Sequence, residues 1–514
     1  MNTQHTSHSS SIGVKSSTGL MLNMNQGEVQ TEGDHYASFG KRLDWQTQYG
    51  SEGIFVEWSW DGKQLKVCND RYGIYPLYYA ASGPKLLVSN SLLWILQRMD
   101  SVEINKEAVA IFLRLWQYIG NDTPFSGVQI LPANSELIWE KGQINIRQKS
   151  VQISSSAWQQ LSYHEAVDTY IQLFASAITR RIPPDGAFTV PITGGRDSRH
   201  ILLELYRQQT LPSECVTLLM RPPASQEDVR VAGLLTEALG IRHRVIPRPE
   251  SFLDTIEADI HLTQYCGGSH TWAPPLAKSL VGRYHTVYDG LAGSILSSGF
   301  MVDKERADFF ARGDLNKLAL VLLSGNEKRI HRELKHEWLN DYPLELAANR
   351  LTIELAKHVD APNPMMSYLF WNRTRRSVGL VPFGILSKVP VVHCPYLDHE
   401  LFDFLFSINP DHYLKHHFHD DVIRRAYPEF AFIPYEDKLK KGLFDADARQ
   451  YYRRAIRGFV WRYLMSYQPP GKPLQRSYLL QKALYDHLRP AVTSPWYLPT
   501  PIYVNQLLRV VFKI

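Results

Sequence analysis

The sequence has 514 residues, 44% of them hydrophobic and 21% charged, with a formal net charge of +5. That length exceeds what a single core fills, so two domains are expected, and so modest a charge argues against nucleic acid as a partner. The four cysteines, Cys68, Cys215, Cys266 and Cys394, form no CxxC pair, and no apolar run approaches the ~20 residues of a membrane span; a cytoplasmic protein without a zinc site, disulfide framework or membrane anchor is expected.

Residues 1 to about 35 are polar and read as poorly ordered at the extreme end. From Gly53 the pattern changes. Ile54 to Trp60 and Leu65 to Cys68 alternate around Asp61-Gly62 and predict two strands joined by a tight turn, with a further strand at Lys85 to Ser89. Between them, Asp70-Arg71-Tyr72-Gly73 reads as a structural turn in preference to a binding loop.

The stretch Cys68 to Ala80 resembles the Arg-Asp-Arg-Phe-Gly-Ile-Lys-Pro-Leu-Tyr-Tyr-Ala segment in the N-terminal glutaminase-type domain of asparagine synthetases. Asn121 to Pro132 resembles the closing stretch of the same domain, before a strand at Glu136 to Trp139. That resemblance implies an Ntn-hydrolase-like sandwich whose chemistry needs a cysteine at the mature N-terminus, its own amine serving as base. Position 2 is Asn2 and no cysteine precedes Cys68, so a domain kept for packing and stripped of its nucleophile is expected.

A strand-like Ile144 to Gln152 ends at Ser154-Ser155-Ser156, taken as the boundary between a domain at 1–155 and one at 156–514. A helix follows at about Tyr163 to Arg180, with Ala166, Tyr170, Leu173 and Ala177 on one face. Phe188 to Ile192 is a buried strand, Thr193 to Arg196 a turn, and Ile201, Leu202 and Leu205 one face of the next helix. Gly194 and Gly195 allow the backbone N–H groups to approach a ligand, and the helix start near Asp197 adds donors and a positive dipole end, which together suit phosphate. Strands at Cys215 to Met220 and Arg242 to Ile246, separated by a helix at Glu227 to Leu239, predict a parallel sheet with ligands beyond the carboxyl ends of its strands.

Thr193-Gly194-Gly195-Arg196-Asp197-Ser198 resembles the Ser-Gly-Gly-x-Asp-Ser loop of enzymes that split ATP into AMP and pyrophosphate. Arg196 and Arg199 depart from that pattern and either touch phosphate or sit on a solvated helix start. Thr286 to Ser294 is again a strand running into a glycine loop, and by position it resembles the pyrophosphate loop of the asparagine synthetase family. Gly290 and Gly293 match, whereas Leu291, Ser294 and Ile295 stand where the family has acids; Asp289 is left to hold a second magnesium with Asp197, or to form a turn.

Residues 300 to 380 read as helical, and the charge run Asn372 to Arg376 is expected as a solvated face. Val391 to Leu401 resembles the family's Arg-Val-Pro-Phe-Leu-Asp-His-Glu-Leu signature. His393, His399, His416, His417 and His419 are expected at the surface or in packing. Lys438 to Leu443 sits where the family has a Lys-x-Gly-Phe element, and Lys440 aligns best with the lysine that stabilises charge during amine attack. Tyr451 to Tyr463 is a basic, aromatic helix that covers the core or serves a partner.

The resemblance runs over roughly residues 50 to 445 and implies an α/β protein with an adenine-nucleotide α-hydrolase-like second domain. ATP and Mg2+ would activate a small-molecule or peptide carboxylate as an acyl-adenylate, for attack by ammonia or a substrate amine. A nucleotide-binding protein without catalysis is the rival, and a homodimer is compatible with either.

Overall fold

The computed structural model describes residues 18–47, 50–149, 156–183, 187–220, 224–299, 301–436, 446–466, 468–488 and 495–513. The expected joint at 154–156 falls largely on residues 150–155, which lie outside them. Three five-stranded sheets organise the chain. Residues 19–148 supply the first two, both antiparallel, from β1 (Gly19–Asn25), β2 (Glu28–Gly33), β3 (Tyr36–Thr47), β4 (Gly50–Trp60), β5 (Gln64–Asn69), β6 (Tyr78–Ser82), β7 (Lys85–Ser89), β8 (Val128–Ile130), β9 (Ser135–Glu140) and β10 (Gln143–Gln148). One sheet runs β2-β1-β7-β6-β8 and the other β10-β9-β5-β4-β3. The alternation read from sequence is realised in the β4–β5 hairpin: Trp60 faces Leu65 across the turn, and Asp61 Oδ1 accepts the N–H groups of Lys63 and Gln64.

Three strands precede Gly53. In β1, Leu20 and Leu22 point into the core and β1 pairs with both β2 and β7, so strands are already present within the stretch to about residue 35 that reads as polar. Asp70 to Gly73 is the structural turn it was read as. Its Asp70 carboxylate accepts the backbone N–H groups of Phe55, Tyr72 and Gly73, and Gly73 has φ +55 with Ala133 packed against it.

The third sheet is parallel and comprises β11 (Phe188–Pro191), β12 (Glu214–Leu218), β13 (Arg242–Ile246), β14 (Thr286–Tyr288) and β15 (Val391–His393), in the order β13-β12-β11-β14-β15. Apolar side chains leave it on both faces. Val190 and Cys215 join the main core with Leu202 and Leu205 of the helix Asp197–Arg207, whereas Val216, Ile246 and Val287 pack with Leu276 and Leu280 of Ala273–Leu280. The protein is thus mixed α/β, an antiparallel sandwich followed by a parallel sheet flanked by helices. Among the described residues no helix is long and apolar enough to cross a membrane.

The charge run at Asn372 to Arg376 is not a solvated face. It lies in the π-helical segment Leu369–Val378, and Arg375 and Arg376 are buried. Arg375 donates to the carbonyls of Gly73 and Leu131 at 3.1 and 2.8 Å, and Arg376 to those of Asp122 and Gly120 at 2.6 and 3.2 Å. Burial lowers the Arg375 pKa to about 9. These guanidiniums satisfy loop carbonyls of the sandwich that would otherwise be stranded at the junction of the sheets. The basic aromatic helix Ala446–Phe459 likewise covers the core: it packs on Phe252–Leu262 with Tyr451 and Tyr452 buried, and Tyr463 beyond it donates to Glu257 at 2.7 Å.

Glu333 is buried, and desolvation raises its pKa from 4.5 to about 8, only partly opposed by Arg329. The folded chain therefore keeps a proton that the unfolded chain releases above 4.5, so this group's contribution to stability falls as pH climbs from 4.5 towards about 8. Glu333→Gln is expected to flatten that dependence and to stabilise the protein at pH 8 more than at pH 5. Urea unfolding at the two pH values measures it; equal effects at both would show that the carboxyl does not titrate in this window.

Candidate functional site

Counted from β11, the parallel sheet has the strand order 3-2-1-4-5, and the chain leaves β11 in one direction and returns to β14 on its other side. Ligands of such sheets bind outside the carboxyl ends of the strands where the order reverses. The two loops at that position are Thr193 to Ser198, after β11, and Asp289 to Gly293, after β14. Topology and the glycine pattern thus select the same place independently.

The loops meet at Asp197. Its Oδ2 accepts the N–H of Ser294 at 3.0 Å, and Tyr396 donates its hydroxyl to the Asp197 carbonyl at 3.3 Å. A β-carbon on Gly290 would lie 2.7 Å from the Asp197 Cβ, and one on Gly293 would lie 2.6 Å from its Cγ. Both glycines are therefore demanded by close approach to this carboxylate. Within the first loop Ser198 Oγ accepts from Thr193 N–H at 3.3 Å, and Thr193 Oγ1 from Gly195 N–H at 3.2 Å. The N–H of Gly194 goes to Asp228 Oδ1 at 2.9 Å.

Burial raises the Asp197 pKa to about 7, aided by the like charge of Asp289 and opposed by the Ser294 N–H and by Arg196. Asp289, whose Oδ1 accepts the Leu291 N–H at 2.8 Å, is raised by burial to about 6. Behind Asp197, His419 Nδ1 stands 3.6 Å from Oδ1 and His419 Nε2 is 3.1 Å from His200 Nδ1. Burial lowers the His419 pKa to about 3 and that of His200 well below its ordinary value, so both rings are neutral near pH 7. Backed by neutral imidazoles, two adjacent carboxyls, each with its pKa raised by burial, are set to ionise against an arriving cation.

Of the two arginines that break the loop pattern, Arg199 is buried, whereas Arg196 at the helix start is partly exposed and ion-paired. Arg196 forms a two-pronged pair with Asp420, and its guanidinium lies over the Tyr435 ring at 4.6 Å. Arg199 is buried, donating to the carbonyls of Ile433 and Pro434 at 2.9 and 2.6 Å. Together they clamp the segment 433–436 over the loop, and the Glu436 N–H donates to the Gly194 carbonyl at 2.9 Å. Lys438, Lys440 and Lys441 follow directly, but residues 437–445 lie outside the described residues. His399 sits instead with Glu52, 3.2 Å away, and Thr47, and His416 contacts the Ser298 carbonyl.

The sequence reading misses Asp228, Asp420 and His200, and reads His419 as a surface or packing residue. Asp228 comes from the helix Ala224–Ala238, His419 and Asp420 from Phe418–Ala426, and His200 from the helix that the loop itself opens, and no motif marks any of them.

Residues 37–150 match the family model described as a glutamine amidotransferase domain. No curated protein matches the sequence significantly. Among solved structures, one described as the structure of the allosteric regulatory enzyme of purine biosynthesis is similar at 9% identity, over 38% of this chain and 47% of that one, with a TM-score of 0.14. The chain thus spans about half the length of that structure, and so low a score carries no argument about fold or activity. The class defined here is an amidotransferase-type sandwich followed by a parallel-sheet unit.

Proposed function

We propose that the chain is an ATP-dependent, asparagine synthetase-like ligase. It activates a small-molecule or peptide carboxylate as an acyl-adenylate with release of pyrophosphate, then passes the acyl group to ammonia or a substrate amine. The observation that carries this reading is the convergence of two glycine loops, from the adjacent strands β11 and β14, on the Asp197 carboxylate at the switch point of the sheet. Thr193, Gly194, Gly195 and Ser198, with the start of the helix Asp197–Arg207, are the amide and hydroxyl donors assigned to phosphate oxygens, which would replace the Ser198, Asp228 and Thr193 oxygens that now accept the Thr193, Gly194 and Gly195 amides. Asp197 and Asp289 are hard oxygen donors on neighbouring loops, the kind of set that binds Mg2+ through one or two carboxylates together with substrate phosphates. Such an ion supplies charge neutralisation of the departing pyrophosphate. Lys440 is assigned the stabilisation of charge during amine attack; its segment leaves Glu436, which is bonded to Gly194.

A second reading, nucleotide binding without turnover, is favoured by the internal acceptors of the loop: Asp228 holds the Gly194 amide and Asp420 holds Arg196. ATP–pyrophosphate exchange across a panel of amino acids and small carboxylates separates the two. Exchange with any member supports the ligase, ATP binding without exchange supports the second reading, and no ATP binding overturns both.

Glutamine is expected to remain intact. Cys68 lies inside β5 between β4 and β9, and burial with the nearby Glu57 pushes its thiol up to about 12. Burial pushes Cys215 up to about 12 and raises Cys266 and Cys394 as well. No thiol here has the lowered pKa of a nucleophile. Glutamate release by the purified chain measures this, and sustained release would contradict it.

A further inference from the structure

The imidazoles of His200 and His419 are fully buried and come from two helices that begin beside the candidate site, Asp197–Arg207 and Phe418–Ala426. Phe174 stacks on the His200 ring with centres 3.6 Å apart and planes at 19°, and Tyr170 packs against both imidazoles, so the two rings are held in place by their neighbours.

Hydrogen bonding fixes where the ring protons lie. His200 Nδ1 is 3.1 Å from His419 Nε2, so one of these nitrogens donates and the other accepts. His200 Nε2 is buried with no hydrogen-bond partner. A proton there would be a stranded donor, which folded proteins rarely tolerate, whereas a bare nitrogen leaves no donor unmet. The His200 proton therefore sits on Nδ1 and is donated to His419 Nε2. The Tyr396 hydroxyl, 3.4 Å from the same Nε2, can add a second donor to it. His419, accepting at Nε2, carries its own proton on Nδ1, which stands 3.6 Å from Asp197 Oδ1 and is itself buried without a hydrogen-bond partner. Asp197 Oδ2 is already held by the Ser294 N–H, so Oδ1 is the oxygen whose direction is left to be set.

On the reading that makes Asp197 a cation ligand, we propose that His200 and His419 are positioning residues acting on it in series. His200 fixes the His419 tautomer, and His419 Nδ1–H closes on Asp197 Oδ1 and holds the carboxylate in line when a divalent cation meets it. Hydrogen-bonded partners behind a ligating side chain fix its orientation and are typically worth about 10- to 100-fold in metal affinity. The tautomer of such a ring is set by the bond its other nitrogen makes, which is the task left to His200.

An asparagine amide can place an N–H where histidine has Nδ1, and a glutamine amide where it has Nε2, so the two substitutions separate hydrogen bonding from filling of space. Mn2+ is titrated into the nucleotide-free chain and the free ion followed by electron paramagnetic resonance, with Asp197→Asn marking the site. Wild type is expected to bind and Asp197→Asn not to. His419→Asn and His200→Asn are expected to keep most of the affinity, and His419→Gln and His200→Gln to lower it about ten-fold or more. The two Gln substitutions combined are expected to be no weaker than His419→Gln alone, because His200 acts through His419. Proton–nitrogen correlation spectra of the wild-type chain with labelled histidines read the ring protons directly and need no variant to fold; both rings are expected as Nδ1–H tautomers. A proton on Nε2 of either ring, unchanged Mn2+ affinity in His419→Gln, or Asn variants as weak as the Gln variants would each overturn the proposal. A wild-type chain with no Mn2+ site sensitive to Asp197→Asn would overturn the ligand role of Asp197 itself, and the proposal with it.

Discussion

Asp197→Asn is expected to lower ATP–pyrophosphate exchange by about 10²-fold or more while leaving the fold intact, the loss typical when a preorganised electrostatic contact in an active site disappears. The amide is nearly isosteric, so it fits under Gly290 and Gly293, and its oxygen still accepts the Ser294 N–H. What vanishes is charge. In the free protein burial and Asp289 hold the Asp197 pKa at about 7, so its carboxylate is poised to be drawn into the ionised form by an arriving cation. Asp289→Asn is expected to cost less, because that side chain already closes a turn onto the Leu291 N–H and its acidic companions in the family pattern are replaced by Leu291, Ser294 and Ile295. Steady-state rates of both variants, with ATP binding measured in parallel, check the ranking. Full activity in Asp197→Asn together with loss in Asp289→Asn would move the chemistry to the β14 loop.

The parts of the site that were legible in the sequence are those written contiguously. Gly194-Gly195 before a helix, Gly290 and Gly293 after a strand, and the Asp61-Gly62 hairpin each declare a local backbone requirement that only a few residues meet. The strands before Gly53 were not read: Leu20 and Leu22 alternate, but the surrounding Asn, Gln, Thr and Glu obscured a short period-two signal. Other features could not be read at all. Asp228 reaches the Gly194 amide from 34 residues away and Asp420 reaches Arg196 from 224, and neither sits in a pattern of its own. The run ending in Arg375-Arg376 looked solvated because the carbonyls that receive it belong to loops some 250 residues upstream. A charge is buried by its partners, and partners distant in sequence leave no trace beside it.

Arg71→Ala is expected to destabilise the protein by about 3–5 kcal/mol, the cost of breaking a buried ion pair by removing one partner. Arg71 sits on the turn between β5 and β6, and its Nη2 donates to Asp403 at 2.5 Å, with the two side chains only 1% and 2% exposed. Asp403 lies on the helix His399–Ser407, whose start is held in the same way: Arg181 bridges Glu52 of the sandwich and Asp398 at 2.7 and 2.8 Å, and Glu52 accepts the His399 N–H. This helix follows Tyr396, which contacts Asp197. The antiparallel sandwich therefore fixes one wall of the candidate site through buried charge. Arg71→Ala leaves the Asp403 carboxylate buried without the cation that faces it, whereas Arg71→Met combined with Asp403→Leu removes both charges and fills the space. The double variant is expected to recover most of the lost stability in urea unfolding, and to restore whatever exchange activity the single variant loses. Equal destabilisation of the two would mean that Arg71 acts through its packing on Tyr72 and Phe402, whose ring centres lie 5.8 and 5.6 Å from its guanidinium, and not through its charge.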